Sequence, residues 1–148
     1  MSSFAEILSG IETLIKTNPA LHAFASRKWS RAVSAEICFR TRKEIAFSAL
    51  PHVLITRPSV QDRKAVREGR EGRHMVRLYA GFLQNDHTLA TKEQIEFEER
   101  LEDALTIGNP LVKQYGALAA EVTVSANDEG RLPPAYFTVV ELSVLFRR

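Results

Sequence analysis

Cysteine is nearly missing from this chain. Cys38 stands alone, so no internal disulfide can form and nothing points to an oxidised, secreted framework. Long apolar runs are missing too: no stretch approaches the ~20 apolar residues that a membrane-spanning helix needs. No basic flank and apolar h-region follow Met1, so we expect a cytoplasmic, reducing origin and no membrane partner. Charge of one sign is not in excess. Twenty Lys and Arg against eighteen Asp and Glu leave +2, too near neutral to imply a nucleic-acid binder from bulk charge. Catalytic signatures are also absent. His22, His52, His74 and His87 are scattered without a His-x-x-x-His pair, which leaves a zinc site unsupported. There is no Gly-x-Ser-x-Gly elbow, no Walker glycine loop and no Gly-x-Gly-x-x-Gly after a strand. Asp86-His87 is the one close acid–base pair, and it falls in a turn where Asp commonly caps the backbone. We expect no metal, no cofactor and no enzymatic activity.

What is present is an ordinary globular composition. The chain has 148 residues, 45% hydrophobic and 26% charged, which points to a single domain over 1–148. A chain of this length buries ~70% of its unfolded surface, enough for a core without staples. The most apolar ribbon is Tyr136 to Arg147, with Phe137, Val139 and Leu145 on one side and Tyr136, Thr138, Val140, Leu142, Val144 and Phe146 on the other. Such a strand belongs inside a sheet with protein on both faces.

The remaining elements follow in order. Ser3 and Glu6 form a capping box for a helix ending near Thr17, with Phe4, Ile7, Leu8, Ile11 and Ile15 at helical spacing and Gly10 marking a close approach. Asn18-Pro19 opens a short second helix bearing Leu21, Phe24 and Ala25. Trp29 to Phe47 reads as an irregular or edge hairpin, with Trp29 a partly buried anchor. Leu50 to Pro58 is a strand bracketed by prolines, Ser59 to Gly72 a long charged loop, and His74 to Gln84 a second strand. Thr91 and Gln94 cap a helix carrying Phe97, Leu101, Ala104 and Leu105, which Gly108-Asn109-Pro110 ends before a short helical turn. Leu118 to Ala126 is a strand, joined through Asn127 to Gly130 to the closing strand. The expected fold is α+β: a mainly antiparallel sheet of about four strands with helices packed on it, in the order α-β-long loop-β-α-β-β. The closing strand should lie at its centre, flanked by the strands at Val53 and Val76, with the Phe97 helix over one face. The first helix with the Trp29 region, or a neighbouring subunit, should cover the other.

Charge is unevenly placed. Arg57 to Arg77 holds seven basic and three acidic residues, whereas Lys92 to Asp103 holds six acidic and two basic. Arg63, Lys64, Arg67, Arg70 and Arg73 form the basic group, and three readings compete for it. It is a solvated loop tip diluted by Asp62, Glu68 and Glu71, a phosphate contact, or an arm that meets acidic partners. Nucleic-acid recognition by stacking would want aromatics, and none lies between Val60 and Arg73. The arm reading is preferred. Glu93, Glu96, Glu98, Glu99, Glu102 and Asp103 lie on the solvent side of their helix, where Glu96, Glu99 and Asp103 are candidates to meet something basic.

The amphipathic start, the Leu50-Pro51-His52-Val53-Leu54-Ile55 strand, the charged insert, the Thr91 to Ile107 helix and the ending Phe137-Thr-Val-Val-Glu-Leu-Ser-Val-Leu-Phe-Arg-Arg together resemble the tail terminator proteins of long-tailed bacteriophages and prophages. The resemblance lies in size, order and terminal strand; Trp29 to Phe47 has no counterpart in it. It implies a structural virion protein of the tail and neck, assembled in the host cytoplasm. Such a protein forms a ring, usually hexameric, on the last ring of the tail tube, halts tube growth and joins the tail to the head-completion protein. The implied partners are further copies, the tube protein and the connector; nucleic acid is not required, though DNA passes through such a ring. The alternative is a nucleic-acid-associated module acting through the basic 57–77 segment.

Overall fold

The computed structural model describes residues 3–38 and 45–148. Ser3 caps α1 (Phe4–Thr17), its hydroxyl accepting from the Ala5 amide, and Asn18 caps α2 (Pro19–Trp29) by accepting from Leu21 N at 2.9 Å. Gly10 is needed where α1 crosses the ring of Tyr115: a Cβ there would lie 2.6 Å from it. A short β1 (Ser34–Ile37) and a 3₁₀ turn (Phe47–Ala49) precede β2 (His52–Val66), and β3 (Gly69–Leu83) follows. Next come α3 (His87–Thr106), α4 (Pro110–Lys113), β4 (Ala119–Asn127) and β5 (Ala135–Arg147).

The fold is α+β as expected, but the sheet has five strands in the order β1-β2-β3-β5-β4 and is mixed, because β1 pairs parallel to β2. His52 fastens that edge, its ring bonding Ser34 Oγ at 2.6 Å and Glu36 Oε1 at 3.2 Å. The expected hairpin between Trp29 and Phe47 is therefore corrected to the end of α2 and a parallel edge strand; its portion over 39–44 lies outside the described residues. The closing strand is interior but not central. It pairs with β3 and β4, and the Val53 strand, β2, lies one position further out. Chain order explains this, since β2 and β3 form their own hairpin and leave β3 only one free edge.

The expected loop over 59–72 is a continuation of that hairpin. Val66 pairs with Gly69 across a turn made by Arg67 and Glu68, and β2 bulges between Thr56 and Ser59 and between Gln61 and Lys64, where Asp62 takes φ 53°. No period betrayed it, because both faces of this arm are largely exposed and alternation signals a strand only when one face is buried.

Helices α1, α2 and α3 share one face of the sheet. There Phe97 packs with Phe24, Trp29 and Phe82 above Val76, Leu78, Val140, Leu142 and Val144, all buried. Trp29 is a partly buried anchor, as expected, on this side. The opposite face has its own small core: Phe137 lies with Leu54, Leu50, Ile45 and Ala135, over Gly81, whose missing side chain leaves the space. The residues just ahead of β2, rather than α1, cover the second face of β5 there. Val139 and Leu145 remain half-buried.

Candidate functional site

The arm is held together by ion pairs that use part of the predicted basic set. Lys64 reaches Glu71 at 3.5 Å, and Arg147 of β5 reaches the same carboxylate at 2.9 Å and Glu68 at 3.8 Å. The Arg147 hydrogen bond, with Lys64 beside it, holds the Glu71 carboxyl below its usual range. Arg73 turns to Asp62 at 3.8 Å and donates to Ser143 Oγ at 3.1 Å. Arg70 and Arg148 exchange backbone hydrogen bonds at 2.9 Å, so the chain stays stitched to the arm one residue beyond β5. Arg63, Arg67 and Arg70 are exposed and make no ion pair among the described residues.

At the foot of the arm lies a cleft of about 440 Å³. Arg57, Arg63, Lys64, Arg70 and Arg148 line it with a single acidic side chain, Glu71. Its base is aromatic. The His74 ring stacks on Phe4 at 3.7 Å, Phe146 stands edge-on to Phe4 at 5.6 Å, and Arg57 lies over the Phe4 ring at 5.8 Å. Arg57 Nη1 donates to His74 Nδ1 at 3.1 Å. Burial, then the charges of Arg57, Arg63 and Arg148, push His74 down to about 4, so it is neutral at pH 7. Sequence reasoning missed Arg57, His74 and Arg148 as parts of one group. The signal was register: Val60 opposite His74 places the Arg57 and Arg63 segments beside it only once 59–72 is read as a ladder.

The acidic helix divides differently from expectation. Glu93 is buried, its Oε1 accepting from Trp29 Nε1 at 3.1 Å and Gln84 Nε2 at 2.8 Å. Glu98 is half-buried and accepts from Gln94 at 2.6 Å and from Thr138. These two belong to the fold and not to the solvated face. Glu96 meets Lys28 at 3.9 Å, while Glu99, Glu102 and Asp103 are exposed with no ion pair among the described residues. Among the described residues no ion pair joins the arm to α3.

Asp86 and His87 part company. Asp86, not Thr91, is the N-cap of α3, accepting from Leu89 N at 3.0 Å, because its carboxylate sits where Thr91 would be a full turn too late. His87 Nδ1 instead faces the Tyr136 hydroxyl at the rim of a groove of about 360 Å³ that also includes Gln94 and Asp128. No group of three His, Cys, Asp or Glu suited to a metal occurs among the described residues, and no helix there is long and apolar enough to cross a membrane.

In comparison with known proteins, no family model matches the chain and no curated protein matches it.

Proposed function

We propose that this chain is a structural assembly protein that joins further copies of itself head to tail, in the manner of a tail terminator ring that closes a tube and receives a head-completion partner. One observation carries the reading. Exposed cations on a two-stranded arm, Arg67 at its tip, and exposed carboxylates on α3, Glu99, Glu102 and Asp103, make no ion pair among the described residues. A heterologous contact brings such unlike patches of neighbouring subunits together, and repetition of it closes a ring.

The solution mass tests this. Multiples of 16.6 kDa that dissociate as salt rises, with rings visible by electron microscopy, are expected. Arg67→Glu should abolish them and Asp103→Lys in the same molecule should restore part of the loss. A mass that stays monomeric at all concentrations, both alone and with tail tubes ending in the tube protein, removes the proposal. If tube length and head joining survive the Arg67→Glu change, the arm is not the contact.

A further inference from the structure

The cleft at the foot of the arm calls for a different explanation from the arm's tip, because Arg67 does not line it. Its lining has five basic side chains and one acidic one, whose carboxylate is already engaged by Lys64 and Arg147. Side chains of one sign gathered in this way repel each other, and an anion placed between them removes that repulsion. A second feature points the same way. α1 is 14 residues long and begins at the cleft through Ser3 and Phe4, adding the partial positive charge of its N-terminal turn, in which Ser3 takes the Ala5 and Glu6 amides. The aromatic base gives no platform for a nucleobase: Phe4 is 6% and Phe146 2% exposed, and Phe4 is already overlaid by His74. The site therefore offers charge and hydrogen-bond donors without stacking, which suits phosphate oxygens and ignores bases.

We propose that this cleft binds phosphate groups, gripping either the backbone of a nucleic acid irrespective of sequence or an inorganic polyphosphate. Arg57, Arg63 and Arg148 supply the charge-assisted hydrogen bonds and the α1 N-terminus supplies the fixed dipole. The inference does not rest on ring assembly, since it concerns a cleft contained in one subunit.

Two probes separate the sources: a labelled single-stranded oligonucleotide of about 20 nucleotides, followed by anisotropy, and tripolyphosphate, followed by calorimetry, both at low salt. Binding of the oligonucleotide should weaken steeply as salt rises. Arg57→Ala with Arg63→Ala should lower its affinity at least about tenfold and flatten the log–log salt slope by roughly 1.4, two contacts' worth. The control Arg27→Ala with Lys113→Ala, which removes the same charge from exposed sites elsewhere, should change neither by as much. Oligonucleotide binding without tripolyphosphate binding assigns the cleft to a polymer backbone, and the reverse assigns it to free polyphosphate. Histidine NMR adds a readout that folding alone would not move: either bound probe should raise the His74 pKa from about 4, by offsetting the three arginines around it. Absence of binding by both probes at low salt, or equal losses in the cleft and control variants, would overturn the proposal. Because these measurements use the Arg67-intact subunit and read no oligomer, they fail or succeed separately from the ring.

Discussion

His74 and Glu93 show how single positions depart from what their residue type suggests. His74 is a strand residue whose proton is repelled. In the unfolded chain it titrates near 6.5 and in the folded protein near 4, so between these values the unfolded state binds more protons. Stability should thus fall as pH is lowered from about 6.5 to about 4 and carry no His74 contribution to pH dependence outside that window. Denaturant midpoints of the protein and of His74→Phe across that range will check the sign: the variant should lose the part of the slope that the histidine causes. Glu93 receives two side-chain donors, both from half-buried residues, so Glu93→Ala should cost about 1–3 kcal/mol by removing the acceptor of Trp29 Nε1 and Gln84 Nε2. Equilibrium unfolding will measure it, and a change within about 0.5 kcal/mol, ordinary for a solvated residue, would show that the bonds contribute little. Its burial was legible in principle. Glu93 lies four residues before Phe97 and eight before Leu101, on the same stripe, and only its charge argued for solvent.

Among the elements, those with one buried face could be read from the chain, and the arm could not. The α1 stripe, the Asn18-Pro19 start of α2, the apolar β5 and the turn at Asn127 to Gly130 all announce themselves through period or turn chemistry. The ladder from Ser59 to Gly72 lacks both, because it is held by backbone pairing, by ion pairs such as Lys64 to Glu71, and by the end of β5. Its outer edge is blunted by Pro58 and two bulges, devices that discourage pairing with foreign strands. The partner choice of β5 was equally hidden, since it depends on β2 occupying the other edge of β3 and not on any property of β5 itself. Gly69 is the position on which the arm's junction turns. Its φ is 148°, and a Cβ there would sit 1.8 Å from the Arg148 carbonyl oxygen, a backbone atom. Gly69→Ala should therefore break the reciprocal Arg70–Arg148 bonds and destabilise this end by about 1–3 kcal/mol. Hydrogen exchange should then speed up at the Arg70 and Arg148 amides while the Val76 to Ala80 core stays protected; unchanged protection at both amides would show that the junction adapts.

At the scale of the whole molecule, size, class and the uneven charge are in the sequence, whereas the site is not. The predicted basic set is partly consumed inside the fold, by Glu71 and Asp62, and the residues it left out, Arg57, His74 and Arg148, complete the cleft. Their convergence is a product of tertiary register, which no local pattern encodes. One expectation follows for the intact protein. Acid should loosen the arm before the core, because lowering the pH through the depressed Glu71 pKa neutralises the carboxylate that Lys64 and Arg147 share. Limited proteolysis after Arg63, Arg67 or Arg70 should accelerate there while circular dichroism still reports the helices; simultaneous loss of both would mean that arm and body open together.

The β3–β5 ladder is also a long-range contact that the folding chain has to close. It pairs Glu71 with Arg147 and Leu83 with Ala135, so the most apolar strand finds its main partner only after α3, α4 and β4 have been threaded between them. Closing such distant contacts is slow compared with local hairpins. Until it happens, β5 has only β4 beside it, and its row of Val140, Leu142, Val144 and Phe146 awaits cover from both β3 and α3. A β5 left without β3 would expose that row, so we expect the yield of soluble protein to depend on how quickly β3 captures β5.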